Sequence, residues 1–426
     1  MSRMDVPSTP DVPSESSKDA GQSAVWPLIV LLIAHGLSLV GNAVTVIVVP
    51  LYVLQLTDSV AATGVAGAFA TVPMIIGGAV GGVLVDRFGF RRAAVLADLA
   101  SGLTVLAIPL LALTVGLPFG VLLLLVFLSG LLDTPGRTAK EALVPDFASD
   151  AGVQLTRAAA ASSAISRSAM LAGAALASVL LVSIGALNSL FIDAITFFVS
   201  AVFIGIILPR ASSSSAADVG IMPAGVWAEF VEGVRFAART PIIRSVVLLV
   251  VVTNLIDAAG FLVLFPVYAR TVTPDGSLLG LIMGSFAAGA LTGALAFAKF
   301  GHRLPKKALL VGGFLIAGPV PYLAMLAHCA PPLLLAAMMI AGLAAGSINP
   351  LLSATLYEVV PRALRARVLG ALTTGVTAGM PLGSLLAGST VELWGLVPVL
   401  LGAALFYAIV ALSPLFGTSW SGLTQA

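Results

Sequence analysis

Between Trp26 and Phe416 the chain is a succession of apolar runs of about twenty residues, separated by short clusters of charge, Gly or Pro. That length matches the hydrocarbon thickness an α-helix must cross, so the solvent such a chain is built for is lipid. Composition agrees: 9% of the 426 residues are charged, 59% are apolar, and mean hydropathy is +1.10. An ordinary soluble domain keeps about a quarter of its residues charged to face water, so soluble enzymes are excluded as a class. The unbroken runs also exclude a membrane β-barrel, whose strands alternate apolar and polar residues.

Twelve spans are predicted, at 27–51, 60–84, 93–114, 117–135, 160–184, 187–208, 243–266, 277–300, 308–327, 331–357, 367–390 and 394–416. The expected fold is an all-α integral membrane protein with twelve transmembrane helices in two pseudo-symmetric six-helix halves. Residues 1–25 read as a disordered cytoplasmic tail, rich in Ser, Pro and Asp and without the apolar run of a signal peptide. The halves are 26–208 and 243–416, joined by a linker at 209–242, and 417–426 form a second tail. Ser212–Ser215 open the linker; Trp227, Phe230, Val231 and Val234 then share one face of a helix suited to lie flat at the interface.

Positive charge sets the orientation. Arg3 and Lys18 precede span one; Arg87, Arg91 and Arg92 follow span two; Arg137, Lys140 and Arg157 follow span four; Arg210, Arg235, Arg239 and Arg244 follow span six. Lys299, Arg303, Lys306 and Lys307 flank the loop after span eight, and Arg362, Arg365 and Arg367 the loop after span ten, while the other side carries only Arg270. Both termini are therefore expected in the cytoplasm and the chain in the plasma membrane. Arg167 is expected within span five, snorkelling or paired.

The halves repeat. Phe88-Gly89-Phe90-Arg91 is echoed by Phe300-Gly301-His302-Arg303, and Gly81 by Gly293, at an offset of 212 residues. Gly130 to Pro135, followed by Glu141 and Val144-Pro145, is echoed by Gly346 to Pro350, then Glu358 and Val360-Pro361. Two parallel six-span halves about an axis normal to the membrane suit alternating access to a central site.

The stretch Gly82-Val83-Leu84-Val85-Asp86-Arg87-Phe88-Gly89-Phe90-Arg91-Arg92 resembles the signature loop between spans two and three of the major facilitator superfamily. The ends of spans four and ten, Asp133-Thr134-Pro135-Gly136-Arg137 and Asn349-Pro350 leading to Glu358, Pro361, Arg365 and Arg367, are similar to its drug and siderophore exporters. The resemblance implies a drug- or siderophore-type exporter working by proton antiport, and the scarcity of charge along the path, with Arg167 the one candidate cation, favours lipophilic or weakly cationic cargo moving outward. The resemblance also implies a gating set of Gly82, Asp86, Arg87, Gly89, Arg91 and Arg92, with Asp86 latching span two to span eleven when the cytoplasmic side closes. On charge alone, Arg87, Arg91 and Arg92 serve topology by binding lipid phosphates.

An ionisable group at mid-bilayer is expensive and marks function by default. Asp257 lies near the middle of span seven, one turn after Asn254, so both side chains can face one cavity; protonation or cation recognition is assigned to this acid. If spans one, four, seven and ten line the path as the resemblance implies, Asn42, Asn349 and Tyr357 join them. Asp98 and Asp193 are expected to be structural. His35 and Asn42 in span one are each expected to hydrogen-bond a neighbouring helix.

Other chemistry finds no support. No Walker loop, zincin helix or paired cysteine is present, and Cys329 is alone. No cofactor, metal or nucleic acid is expected; the partners are a small-molecule substrate, protons and membrane lipid, and the protein is read as a monomer, not an enzyme. A proton-coupled importer is the alternative within the class, and an intramembrane hydrolase a remote one.

Overall fold

The structure, a computed structural model, describes residues 25–208, 235–301, 305–360 and 365–416, without the side chains of 78–88, 353–355, 357–358, 365–367 and 369–374. Among the described residues every regular element is helical. Spans one to six are Trp26–Thr57, Val60–Phe88, Phe90–Thr114, Phe119–Asp150, Leu155–Ser183 and Gly185–Val202, the last extended by a π turn, Phe203–Ile207. Span seven is Pro241–Ala259, a π turn Gly260–Leu264, and Phe265–Val272. Span eight is Leu278–Phe300; span nine is Lys306–Ala317 and Pro319–Leu326; spans ten to twelve are Pro331–Val359, Arg365–Trp394 and Leu396–Phe416. Among the described residues eleven of these are long and apolar enough to cross a membrane, and Arg365–Trp394 completes the set.

Small residues bring the helices together. Gly289 and Gly293 of span eight lie against the backbone of Met339 and Leu343, and Gly342 and Gly346 of span ten lie against that of Phe286 and Ala290. Each helix thus presents two glycines four apart to the other, the spacing that lets backbones approach in lipid, where no hydrophobic force holds helices together. Gly383 of span eleven meets the Leu255 backbone in the same way.

Several boundaries depart from the sequence expectation, most of all in span four. It does not end at 135 but runs to Asp150 through Pro135 and Pro145, and span five begins at Leu155 rather than 160. Proline is tolerated in spanning helices because neighbouring groups re-satisfy the freed carbonyls. Arg137, Lys140 and Arg157 are therefore helix residues, not loop charges, and Lys140 is buried. Arg167 is exposed on span five.

The expected linker face at Trp227 to Val234 lies outside the described residues. Where description resumes, 235–239 are helical, and Phe236 and Ala237 pack with Ile243, Val360 and Val368. The sequence echo at the two signature loops is not a geometric one: Gly89 takes φ of 77°, a left-handed turn that glycine adopts without strain, whereas Gly301 keeps a helical φ of −58°.

The two halves meet at the end remote from the chain termini. There, the Glu392 carboxylate of span eleven accepts from the backbone N–H groups of Val60 and Ala61 at 3.0 and 3.1 Å, capping span two. Arg270 pairs with Asp58 at 3.1 Å and donates to the Leu54 carbonyl, and Ser178 donates to the Ser277 carbonyl at 3.2 Å. Gly64 and Gly388 bring spans two and eleven into backbone contact. The hydrogen bonds described between the halves all lie at this end.

Candidate functional site

Asp257 and Asn254 leave span seven on the same side, three residues apart, and line one cavity of about 120 Å³. Span ten contributes Asn349, Ala345, Ile348 and Leu352; span eight Phe286; span nine Phe314 and Ala317; span twelve Tyr407. The cavity is thus a mixed chamber, with a carboxyl, two amides, Thr253 and a phenol set among apolar side chains on its wall. Asp257 is the only ionisable acid or base among its lining residues, the phenol apart.

Local backbone irregularity makes room for these groups. The π turn at Gly260–Leu264 follows directly on the Asp257 turn, and the Tyr322 hydroxyl donates to the Ile256 carbonyl at 3.0 Å. A side chain at Gly260 would run into that hydroxyl. Span nine breaks at Gly318, which lies under the ring of Tyr407 so closely that no Cβ would fit. Held there and 2% exposed, Tyr407 turns its hydroxyl toward Asp257, 3.5 Å from Oδ2. That is the outer limit of a hydrogen bond, so the carboxyl keeps its second oxygen for another partner. Asn254 donates to the Val250 carbonyl one turn back at 2.9 Å, which leaves its amide oxygen to accept from a guest.

The structure thus brings together Asp257, Asn254 and Asn349 and adds Thr253 and Tyr407, neither of which the sequence marks out. Tyr357 lies in span ten, but its side chain, like those of Asp86 and Arg87, is outside the described residues; Gly82 is in the last turns of span two. Asn42 is not at this cavity. Its amide donates to Asp133 Oδ2 of span four at 3.0 Å, the expected interhelical bond but in the other half.

That other half carries more buried charge, differently arranged. Lys140 and Asp98, each 1% exposed, pair at 2.7 Å, and Ser200 donates to the second Asp98 oxygen at 2.6 Å. Asp193 accepts from Thr45 and, at 3.4 Å, from Thr196; Gly41 is packed so tightly on Asp193 and Thr196 that no side chain would fit. His35 departs from expectation, since neither ring nitrogen makes a hydrogen bond and the nearest carboxylate oxygen, of Glu141, is 4.0 Å away. Arg91 is not a lipid-facing charge alone: it donates to the carbonyls of Ile204 and Gly205 at 3.0 and 2.9 Å, in the π turn that ends span six. Arg92 is exposed.

The sequence profile of the Major Facilitator Superfamily matches residues 31–272 and 247–420, nearly the whole membrane portion. The chain belongs to the major facilitator superfamily. It is a membrane transporter, not an enzyme. The multidrug efflux pump Tap of Mycolicibacterium fortuitum is 29% identical over 383 residues, covering 89% of this chain and 92% of that protein. The pump of the same name from Mycobacterium tuberculosis (strain ATCC 25618 / H37Rv) is 28% identical, with 89% and 90% covered. Among solved structures, the nucleoside transporter NupG superposes with a TM-score of 0.73 at 14% identity, over 91% of this chain and 98% of that one. A bacterial homologue of the iron transporter ferroportin in an inward-facing state gives 0.67 at 15% identity, again over 91% and 98%. These structural likenesses are of fold.

Proposed function

We propose that the protein is a secondary active exporter of lipophilic or weakly cationic small molecules, working by alternating access and driven by proton antiport. The observation that carries the reading is Asp257, the one carboxyl of a chamber between spans seven, eight, nine, ten and twelve. A carboxyl there has two uses that compete: it binds a proton, or it faces a cation. Exchange of one for the other at a single group is the elementary requirement of antiport. The similarity to proteins named multidrug efflux pumps supports export, and the scarcity of fixed positive charge around the cavity supports cargo that is neutral or cationic.

With both termini in the cytoplasm, as the Lys/Arg distribution indicates, the end closed by Glu392, Arg270 and Asp58 faces outward. The described state is then an inward-facing one, ready to load cargo from the cytoplasm or inner leaflet. Asp86 of the signature loop would form the opposing latch in the outward-facing state.

The test is accumulation in a host stripped of its own efflux pumps. Cells expressing the protein should hold less of a set of lipophilic cationic dyes and antibiotics than control cells, and a proton uncoupler should erase the difference. Equal accumulation with and without the protein across neutral and cationic compounds would refute export, and efflux that persists through the uncoupler would refute proton coupling.

A further inference from the structure

The lipid-facing surface has a second concavity, separate from the Asp257 chamber. Spans eight and nine both lean on span ten more than on each other. Between them lies a groove of about 420 Å³ lined by residues such as Gly293, Phe297, Phe300, Gly312, Ile316 and Ala344. Its walls are apolar and its floor is made of small side chains. From Ala308 to Ile316 it follows span nine inward for roughly 12 Å at the helical rise, starting at the membrane end of that helix.

Positive charge gathers at that end. The Lys299 ammonium sits 5.2 Å over the ring of Phe300, a wall of the groove. The helix Lys306–Ala317 opens with Lys306 and Lys307 and presents the positive dipole end of its first turn. The sequence holds no Asp or Glu between Asp275 and Glu358, so spans eight and nine bring only positive fixed charge to this end; the first acid after them is Glu358, in the last turn of span ten.

We propose that this groove is a binding site for an anionic phospholipid, with one acyl chain in the groove and its phosphate between Lys299 and the first turn of span nine. Lipid tails are as apolar as the groove, so the groove fixes where the chain lies and the cations set which headgroup is kept. Chain and headgroup contacts can be broken separately. A Cβ at Gly312 meets no atom within 4 Å, so Gly312→Leu fills the groove without pushing a helix aside. Lys299→Gln removes charge and leaves the groove open.

Native mass spectrometry of the full chain in detergent, titrated with phosphatidylglycerol or phosphatidylcholine, reads both. The wild type should hold one phosphatidylglycerol at several-fold lower lipid concentration than phosphatidylcholine. Lys299→Gln should weaken phosphatidylglycerol binding by about fivefold, the share of one basic residue at an anionic surface, and leave phosphatidylcholine unchanged. Gly312→Leu should lose that single tight adduct. Gly402→Leu, which adds the same bulk to span twelve where a Cβ also meets nothing within 4 Å, should keep it. Equal retention of the two lipids by the wild type, or equal behaviour of Gly312→Leu and Gly402→Leu, would overturn the proposal. Displacement of the bound phosphatidylglycerol by a lipophilic cationic dye, lost in Gly312→Leu, would overturn it in favour of a cargo groove.

Discussion

The two halves of the molecule share a fold and treat polar groups within the spans in opposite ways. In the first half three carboxylates are tied to neighbouring side chains: Asp98 to Lys140 and Ser200, Asp193 to Thr45 and Thr196, Asp133 to Asn42. In the second half, among the described residues, Asp257 has only the distant Tyr407 hydroxyl and lines the cavity. A carboxylate with its partners in place locks helices together, because removing either partner leaves the other buried and unpaired. One without them is free to take a proton or a cargo charge. Pseudo-symmetry therefore repeats the scaffold but not the chemistry: on the proposed function, the first half holds shape and the second holds the exchangeable site.

The largest effect should come from breaking a tied pair. Lys140→Met leaves Asp98 charged, buried and short of its cation, at a cost of about 3 to 5 kcal/mol. Membrane yield and thermal unfolding temperature should both fall sharply, while the double variant with Asp98→Asn should recover much of the loss. A well-behaved Lys140→Met protein would break the contrast from the side of the first half.

Asp257→Asn should do the reverse, folding normally and failing in transport. The amide keeps shape and hydrogen bonding but stays neutral, so gradient-driven efflux should vanish while downhill exchange of cargo persists. If the carboxylate serves only to recognise cations, neutral cargo will still be pumped. Full uphill efflux of both cargo types, measured in reconstituted vesicles, would place Asp257 among the structural acids.

At the closed end, Glu392→Gln should weaken the cap on span two by about 1 kcal/mol, the scale of a charge at a helix N-terminus. Spin labels on the outer ends of spans two and eleven should then report a several-fold larger open fraction. Unchanged distances would show that the glycine contacts hold that end without the carboxylate. The smallest effect is expected for Tyr407→Phe. Losing a 3.5 Å contact should shift cargo affinity or the pH midpoint of efflux by a few-fold at most, with stability unchanged; a collapse of transport would mean that Asp257 is tied to its partner as firmly as the acids of the first half are to theirs.

Much of this contrast is legible in the sequence, and the remainder is hidden for identifiable reasons. Hydrocarbon thickness sets the span lengths, and the i, i+3 spacing puts Asn254 and Asp257 on one face. Asn349 comes to the site through the family resemblance. Tyr407 does not, because one aromatic in an apolar run reads as packing, and only the break at Gly318, in a different span, aims its hydroxyl at the acid. Lys140 reads as a loop cation because Pro135 looks like a helix end; its burial depends on Asp98, far back in the chain on span three. Arg91 misleads in a similar way, since its acceptors are carbonyls of a π turn, which leaves no signal in composition. His35 shows the limit from the other side: a polar residue in a span is expected to find a bond, and its ring nitrogens have none.

The paired glycines of spans eight and ten bear on how large a cargo the protein can take. At about 120 Å³ the chamber is well below the roughly 300 to 1,000 Å³ of sites for drug-sized ligands, so a wall must yield when such a molecule enters. Spans eight and ten cannot easily be that wall. With backbone against backbone at four glycines they form a double stave, and prising them apart would forfeit close contact along its whole length. The accommodating side is the one built on irregular backbone, the π turn of span seven and the Gly318 break of span nine behind Tyr407. The chamber is thus a vessel with one stiff side and one compliant side, and on the proposed function the range of cargo it admits is set by the compliant one.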